Sequence, residues 1–183
     1  EKIKEKLKNS VRYLHYKDYE KTNNLFTLNS ISEELNSDLL ILFSDIVISF
    51  ELLKKCVNSN DDFNLLIDIF DVSDKTMRVT IKNNSIIDLG SHISVDEGHA
   101  NFIGIAKYSK LGALKLKNII NEICKNSKFI DDYYTRGLVE LAKKHKINYT
   151  ENKNQYYWNE IDYLKDYNIL RNKFSSIKNK LFK

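Results

Sequence analysis

The chain has 183 residues, 42% of them hydrophobic, which is enough for one domain with its own core and too few for two. The formal net charge is +4, but lysines alternate with acidic residues along most of the chain, which is typical of a solvated surface and not of a nucleic-acid interface. No apolar stretch approaches the roughly 20 residues of a membrane-spanning helix, and the two cysteines are far apart, so we expect a cytoplasmic protein that binds no membrane.

The first part of the chain alternates amphipathic helices with apolar strands. In chain order, the pattern predicts a helix at 1–9, a short strand at 11–16, a helix at 22–35, a buried strand at 39–48, a helix at 50–59 and a strand at 63–70. Thr22 or Asn23 is suited to cap the helix at 22–35. Strands that are apolar on both faces and separated by helices favour a parallel sheet covered on both sides.

The second part begins with a hairpin. In chain order, the pattern predicts two strands within 77–90 around an Asn-Asn turn, a strand at 101–109, helices at 110–126 and 134–145, and a closing helix at 163–183. The apolar stripe of the closing helix comprises Leu164, Tyr167, Leu170, Phe174, Ile177 and Leu181. We therefore predict a single α/β domain over 1–183, a Rossmann-like three-layer α/β/α fold with a mixed sheet and an inserted β-hairpin.

The apolar run LLILFSDIVIS at 39–49 carries one acidic residue, Asp45. A buried carboxylate needs a paired cation, a metal ion or several hydrogen bonds to offset its lost hydration. We therefore expect another part of the chain to supply a partner for Asp45.

Four stretches resemble, in this order, the later part of the sugar-nucleotidyltransferase-like fold. They are YEKTNNLFTL, LLILFSDIVISFELLKK, NFIGIAKYS and YYWNEIDYLKDY. More narrowly, they are similar to the cytidylyltransferases that activate phosphocholine or 2-aminoethylphosphonate, over about residues 1–172. The resemblance implies a nucleotidyltransferase that moves a cytidylyl group from CTP to a small phosphonate or phosphate monoester and releases pyrophosphate.

The sequence departs from this family at the nucleotide-binding loop. The family opens with a strand and a glycine-rich loop, whereas the five glycines here are too far apart for a phosphate cradle: Gly90, Gly98, Gly104, Gly112 and Gly137. The sequence then corresponds to about the C-terminal three quarters of the fold, and we expect the first strand and loop to belong to a longer polypeptide. The alternative is a domain that has lost half of its active site.

The resemblance implies Mg²⁺ as the cofactor, with Asp45 of "SD" and Asp162 of "EID" as its ligands and as catalytic residues. Mg²⁺ favours a few carboxylate oxygens together with water and substrate phosphates. Two other interpretations stay open. Asp45 suits a strand-end residue that binds backbone amides, and Asp162 suits the N-cap of the last helix, a role compatible with metal binding.

Four further positions match the family pattern. Asn23 and Asn24 either face the acceptor's phosphate or cap a helix. Lys107 has two interpretations. It is either a third catalytic residue, which supplies a positive charge for the acceptor's phosphonate, or an edge lysine whose ammonium group lies in solvent. Arg78 either neutralises the acceptor anion or lies on the face of the hairpin.

The other end of such an acceptor is an amine. Tyr133 in DDYY, Trp158 and Glu160 offer aromatic faces and carboxylates suited to an ammonium group, although most such aromatics belong to a core. The phosphocholine-type enzymes place a tryptophan after the strand that corresponds to IDIF. The segment DVSDKTMRV here has none, which favours a primary amine such as aminoethylphosphonate.

Two other functions are compatible with the sequence. One is a non-catalytic binding module of the same fold, and the other is a nucleotidyltransferase that acts on a sugar phosphate. The apolar closing helix is also consistent with a homodimer.

Overall fold

The computed structural model describes residues 2–7 and 10–182, and for residues 2–4 the backbone only. The helices in this part of the chain are α1 (Lys2–Leu7), α2 (Asn24–Ser30), α3 (Phe50–Val57), α4 (Lys110–Ile123), α5 (Thr135–Ala142) and α6 (Leu164–Phe182). The strands are β1 (Leu39–Leu42), β2 (Ile46–Ile48), β3 (Phe63–Asp68), β4 (Arg78–Lys82), β5 (Ser85–Gly90), β6 (Ala100–Tyr108), β7 (Asn148–Asn152) and β8 (Trp158–Glu160). No helix of the described residues is long and apolar enough to cross a bilayer.

A six-stranded mixed sheet forms the centre of the molecule. Its order is β5–β4–β6–β3–β7, and β1 also pairs with β6. Strands β3 and β7 are parallel, whereas the other neighbours in this sheet are antiparallel. The prediction of a mixed sheet is confirmed. Strand β3 is apolar on both faces because both faces are covered, although only one of its two neighbours is parallel to it.

Side chains of β3 alternate between two cores. Phe63, Leu65 and Ile67 pack into a cluster that includes residues of α2, α4 and α5. Leu66 points the other way, into a cluster with Leu52 of α3. Helices therefore cover both faces of the sheet, and the predicted three-layer α/β/α architecture is confirmed.

The predicted hairpin is also confirmed. Asn83 and Asn84 connect β4 to β5 with φ values of 51° and 54°, which places both turn residues in the left-handed region. A two-residue hairpin turn of this kind requires positive φ at both positions, and asparagine tolerates it better than most residues.

Four predicted elements need correction. The helix predicted at 22–35 is shorter, because α2 ends at Ser30 and a separate 3-10 turn follows at Ser32–Glu34. Residues 11–16 form no strand, and most of them are exposed. The run 39–48 is not one buried strand but two half-exposed ones, because β1 joins the main sheet through β6 while β2 forms a separate two-stranded sheet with β8. The stripe of α6 is buried only at Ile177 and Leu181, so the N-terminal part of this helix leaves apolar side chains in solvent. Residues 1, 8, 9 and 183 of the predicted end helices lie outside the described residues.

Candidate active site

A cavity of about 530 Å³ opens where the parallel strands β3 and β7 end. Ligands of α/β proteins bind typically at the carboxyl ends of parallel strands. The acidic and aromatic residues that line the cavity are Asp68, Phe70, Asp71, Tyr156, Tyr157, Trp158, Glu160, Asp162, Tyr163 and Asp166. The cavity therefore has the position, the size and the functional groups of a small-molecule site.

Asp68 forms the floor of this cavity. It is the last residue of β3 and only 8% exposed. Its Oδ1 accepts a hydrogen bond from the backbone N–H of Phe70 at 2.9 Å. Its Oδ2 accepts one from the indole N–H of Trp158 and one, at 3.5 Å, from the Nδ2 of Asn152. The sequence prediction missed Asp68, and only its place at the end of an apolar strand marked it.

Two buried asparagines hold the loops around the floor. The Nδ2 of Asn101 donates to the carbonyls of Phe70 and Asp71, and its Oδ1 accepts from Ser73 and Thr76. Asn152 binds its own loop in the same way: Nδ2 donates to the carbonyl of Tyr156, and Oδ1 accepts from the N–H groups of residues 155 and 156. The sequence prediction missed both asparagines, which fix the cavity walls.

The acidic edge of the cavity comes from the pairing of β2 with β8. Ile46 lies opposite Glu160, and the backbone N–H of Ile161 donates to the carbonyl of Asp45 at 2.9 Å. Because the two strands are antiparallel, the residue before β2 and the residues after β8 meet at one end of the small sheet. This pairing brings the segments of Asp45 and Asp162 together, although they are far apart in the sequence.

The pKa of Glu160 depends on both of these aspartates. Its pKa is raised from 4.5 to about 7, first by burial and then by the charges of Asp162 and Asp45. Like charges that lie close together disfavour the ionised form. The two aspartates therefore lie within electrostatic reach of one carboxyl group, and a cation at this edge would relieve the repulsion.

The surroundings of Asp45 fit a cation ligand. Its side chain is half-buried, and Oδ1 is buried with no hydrogen-bond partner in the part of the chain that the structure describes. Such an orphaned acceptor is costly unless a further group binds it. Within residues 2–7 and 10–182, no group of three or more histidine, cysteine or acidic side chains could hold a metal ion. Mg²⁺ often uses only one or two protein carboxylates and takes its other ligands from water and phosphates.

Asp162 lines the cavity and is exposed. Helix α6 begins two residues later, and the carboxylate that binds its first turn is that of Asp166, which accepts from the N–H of Tyr163 at 2.9 Å. No hydrogen bond joins Asp162 to this helix among the described residues. Its carboxylate is therefore free for a ligand.

The structure places Lys107 and Arg78 outside the lining of this cavity. Lys107 lies six residues from Asn101 along β6, or roughly 20 Å at the rise of a strand, and its Nζ donates to the carbonyls of Ser59 and Asp61 at 2.7 and 3.1 Å. Arg78 is 5% exposed, and its guanidinium donates to four backbone carbonyls, two of them in the loop behind the cavity wall. Both side chains support the backbone.

Asn23, Asn24 and Tyr133 do not line the cavity either. The Nδ2 of Asn23 donates to the carbonyl of Asp131, and the Oδ1 of Asn24 accepts from the N–H of Tyr134. Asn23 caps α2, as its capping interpretation predicts. Tyr133 lines a different cavity, beside α5. Asn23 and Asn24 therefore join α2 to the segment before α5.

Three solved nucleotidyltransferases are similar to this structure. The CTP:phosphocholine cytidylyltransferase of Streptococcus pneumoniae has a TM-score of 0.71 and 18% identity over 94% of this chain. A Bacillus anthracis protein assigned as a glucose-1-phosphate thymidylyltransferase has a TM-score of 0.73 and 14% identity over 92%. The inositol-1-phosphate CTP transferase of T. maritima has a TM-score of 0.64 and 19% identity over 88%. The chain has a sugar-nucleotidyltransferase-like fold.

At these identities the likeness concerns the nucleotidyltransferase fold and not the substrate. The chain spans 72%, 69% and 63% of the lengths of these three proteins. No family model and no curated protein matches the sequence. The activity, the substrates and the cofactor must therefore be inferred from the geometry of the cavity and its acidic edge.

Proposed function

We propose that this chain carries the acceptor site and the metal ligands of a cytidylyltransferase. The enzyme would transfer a cytidylyl group from CTP to a small phosphonate or phosphate monoester, such as 2-aminoethylphosphonate, and release pyrophosphate. Asp45 and Asp162 would hold Mg²⁺. The observation that supports this proposal most directly is the pairing of β2 with β8, which joins the segments of these two aspartates. Asp162 lines the cavity, whereas Asp45 does not, and one buried carboxylate oxygen of Asp45 has no partner among the described residues.

The reaction needs charge neutralisation more than proton transfer. An anionic oxygen of the acceptor attacks the α-phosphorus of CTP, a new P–O bond forms, and the bond to the β-phosphate oxygen breaks, so that pyrophosphate leaves. The attacking oxygen carries its charge already, and no general base is required. Mg²⁺, when bound, supplies positive charge for phosphates that would otherwise repel each other. In this reaction the chain holds the acceptor in the cavity, with the anionic end of the acceptor beside Asp162.

The nature of the acceptor follows from the cavity and from the similar proteins. The names of the S. pneumoniae and T. maritima enzymes give CTP as the donor and a phosphate monoester as the acceptor. Trp158 and Glu160 line the cavity here and suit the amine of a short phosphonate or phosphate monoester. The name of the B. anthracis protein instead gives a sugar phosphate, which makes that class the competing acceptor to test.

The test compares Asp162→Asn with wild type in the native polypeptide that contains these 183 residues. CTP is supplied with 2-aminoethylphosphonate, phosphocholine or glucose 1-phosphate, and pyrophosphate release is measured with and without Mg²⁺. We expect Mg²⁺-dependent turnover with the aminated acceptors and a loss of at least about 100-fold in the variant, since a metal contributes several kcal/mol to the stabilisation of such a transition state. Mn²⁺ binding, followed by electron paramagnetic resonance, should weaken in parallel.

Asp74→Asn is the matched control, because Asp74 is exposed in the loop after β3 and does not line the cavity. It removes the same charge without touching the acidic edge. Near-normal turnover and Mn²⁺ binding by Asp162→Asn would show that the metal assignment is wrong. Turnover with glucose 1-phosphate alone would replace the proposed acceptor class by a sugar phosphate.

A further inference from the structure

Asp68 is an acidic group that has no cationic partner among the described residues. Asp68 is only 8% exposed. The three groups that donate hydrogen bonds to its carboxylate are a backbone amide, an indole and a carboxamide, and all three are neutral. No lysine, arginine or histidine of the described part pairs with it. A buried carboxylate without a counter-charge is costly, so a cationic ligand at this place would be strongly favoured.

The carboxylate of Asp68 can still accept a hydrogen bond from a ligand. A carboxylate offers about four lone-pair sites, and three of those of Asp68 are occupied. The carboxamides of Asn101 and Asn152 use both their donors and their acceptors on the neighbouring loops, so neither amide has a donor to spare. A ligand group that meets this floor must therefore donate a hydrogen bond, and a positive charge suits it best.

We propose that Asp68 is the specificity-determining residue of the cavity and that it binds the primary ammonium end of the acceptor. The inference rests on the proposed function, to which it adds the residue that binds the amine of the acceptor. Asp68 also holds the indole of Trp158 through its N–H, so that one residue both binds the cation and orients the aromatic wall beside it. The ammonium group points inward, and the phosphonate or phosphate points toward Asp162 at the rim.

The same geometry opposes the alternative ligands. A phosphate at the floor would meet the carboxylate of Asp68, with which no cationic side chain of the described residues pairs, although Lys75, Lys165 and Lys180 line other parts of the cavity. A trimethylammonium group carries the charge but has no N–H, so it cannot use the remaining lone pair of Asp68. A neutral alkyl or hydroxyl end lacks the charge. Affinity should therefore decrease as N–H groups are replaced by methyl groups.

The experiment uses the single tryptophan of the chain as its reporter, since Trp158 is in contact with Asp68. The chain is titrated with 2-aminoethylphosphonate, its mono-, di- and trimethylated forms, and ethylphosphonate, and Kd is obtained from the emission of Trp158. We expect the primary amine to bind at least about tenfold more tightly than ethylphosphonate, the scale expected for a charged hydrogen bond, and each added methyl group to weaken binding. This ligand series requires no variant.

Asp68→Asn tests the residue itself. We expect it to remove the preference for the amine, to leave the affinity for ethylphosphonate within about twofold, and to shift the native emission of Trp158, because an amide cannot accept from both Phe70 and the indole. Asp74→Asn should keep the preference. Equal affinities of the wild-type chain for the aminated and unaminated ligands would overturn the inference, as would an amine preference that survives in a folded Asp68→Asn protein.

These outcomes are separable from a failure of the proposed function. Loss of the amine preference with intact CTP turnover would refute only the role of Asp68. An amine preference in a native polypeptide that forms no cytidylyl product would refute the transfer reaction and leave the ammonium site in place.

Discussion

Glu160, at the end of β8, lies within electrostatic reach of two other carboxyl groups, those of Asp45 and Asp162. Asp45 and Asp162 each raise its pKa, and burial raises it further. Since the unfolded chain has none of these neighbours, the shift makes folding depend on pH.

Glu160→Gln should therefore change stability in a pH-dependent way. The pKa is 4.5 in the unfolded reference and about 7 in the fold, so between these values the folded chain binds more protons, and its stability falls as pH rises. The glutamine variant lacks this loss. In metal-free buffer we expect it to gain about 1 kcal/mol over wild type at pH 8, after allowance for partial solvent exposure, and little at pH 4. Urea unfolding at both pH values measures this, and an equal difference at pH 4 and pH 8 would contradict it.

Helix α4 illustrates how a single element is fixed against the sheet. The hydroxyl of Ser109 caps the helix by accepting from the N–H of Gly112 and also donates to the carboxylate of Asp62 at 2.5 Å. The first turn lies so close to Asp62 that a Cβ at position 112 would be 2.0 Å from its carbonyl oxygen. Glycine is thus required here by close approach to backbone.

Gly112→Ala should destabilise the protein by at least about 2 kcal/mol, because the clash is with backbone atoms that cannot rotate away. The gain in helix propensity from alanine, about 1 kcal/mol, should not offset it. Thermal unfolding measures the effect, and Leu111→Ala, at an exposed position of the same helix, is the control that should change little. A Gly112→Ala protein as stable as wild type would show that α4 can move away from Asp62.

At the scale of the whole molecule, the sheet separates a large core from a small one. The large core lies under α2, α4 and α5, and the small one lies under α3. Trp158 packs against the small core, so that layer supports the wall of the cavity that Trp158 forms. Both cores should contribute to the free energy of unfolding of the domain, but they should differ in their effect on the cavity.

Leu52→Ala and Leu138→Ala test this separation, since the two leucines are buried in the small and large core, respectively. Each should cost about 2 to 5 kcal/mol of unfolding free energy in urea titrations. Only Leu52→Ala should shift the native emission of Trp158, the one tryptophan present. A shift caused by Leu138→Ala at native pH and temperature would mean that the sheet transmits the change between its faces.

Features governed by neighbours in the sequence were predictable. The hairpin followed from two asparagines between alternating strands, and the helices followed from their apolar periodicity. The division of the run 39–48 was not, because it depends on two different partner strands, β6 and β8. Asp68 was missed for the same reason: several acids follow β3, and only the contact with an indole 90 residues later distinguishes this one. Lys107 and Arg78 fitted the family pattern, yet their charges bind backbone carbonyls.

The sheet of β2 and β8 is held by only three residue pairs. Side chains alternate along a strand, so a shift of one position would turn Trp158 and Glu160 away from the cavity and exchange them for their neighbours. The turn at 153–157 is held in place by the side chain of Asn152, which binds the backbone of residues 155 and 156, so an insertion or deletion there should also disturb the cavity wall. A single deletion between 158 and 162 should change which side chains face the cavity while the six-stranded sheet still assembles, so natural variants of this protein should keep the length of the whole segment 153–162 constant.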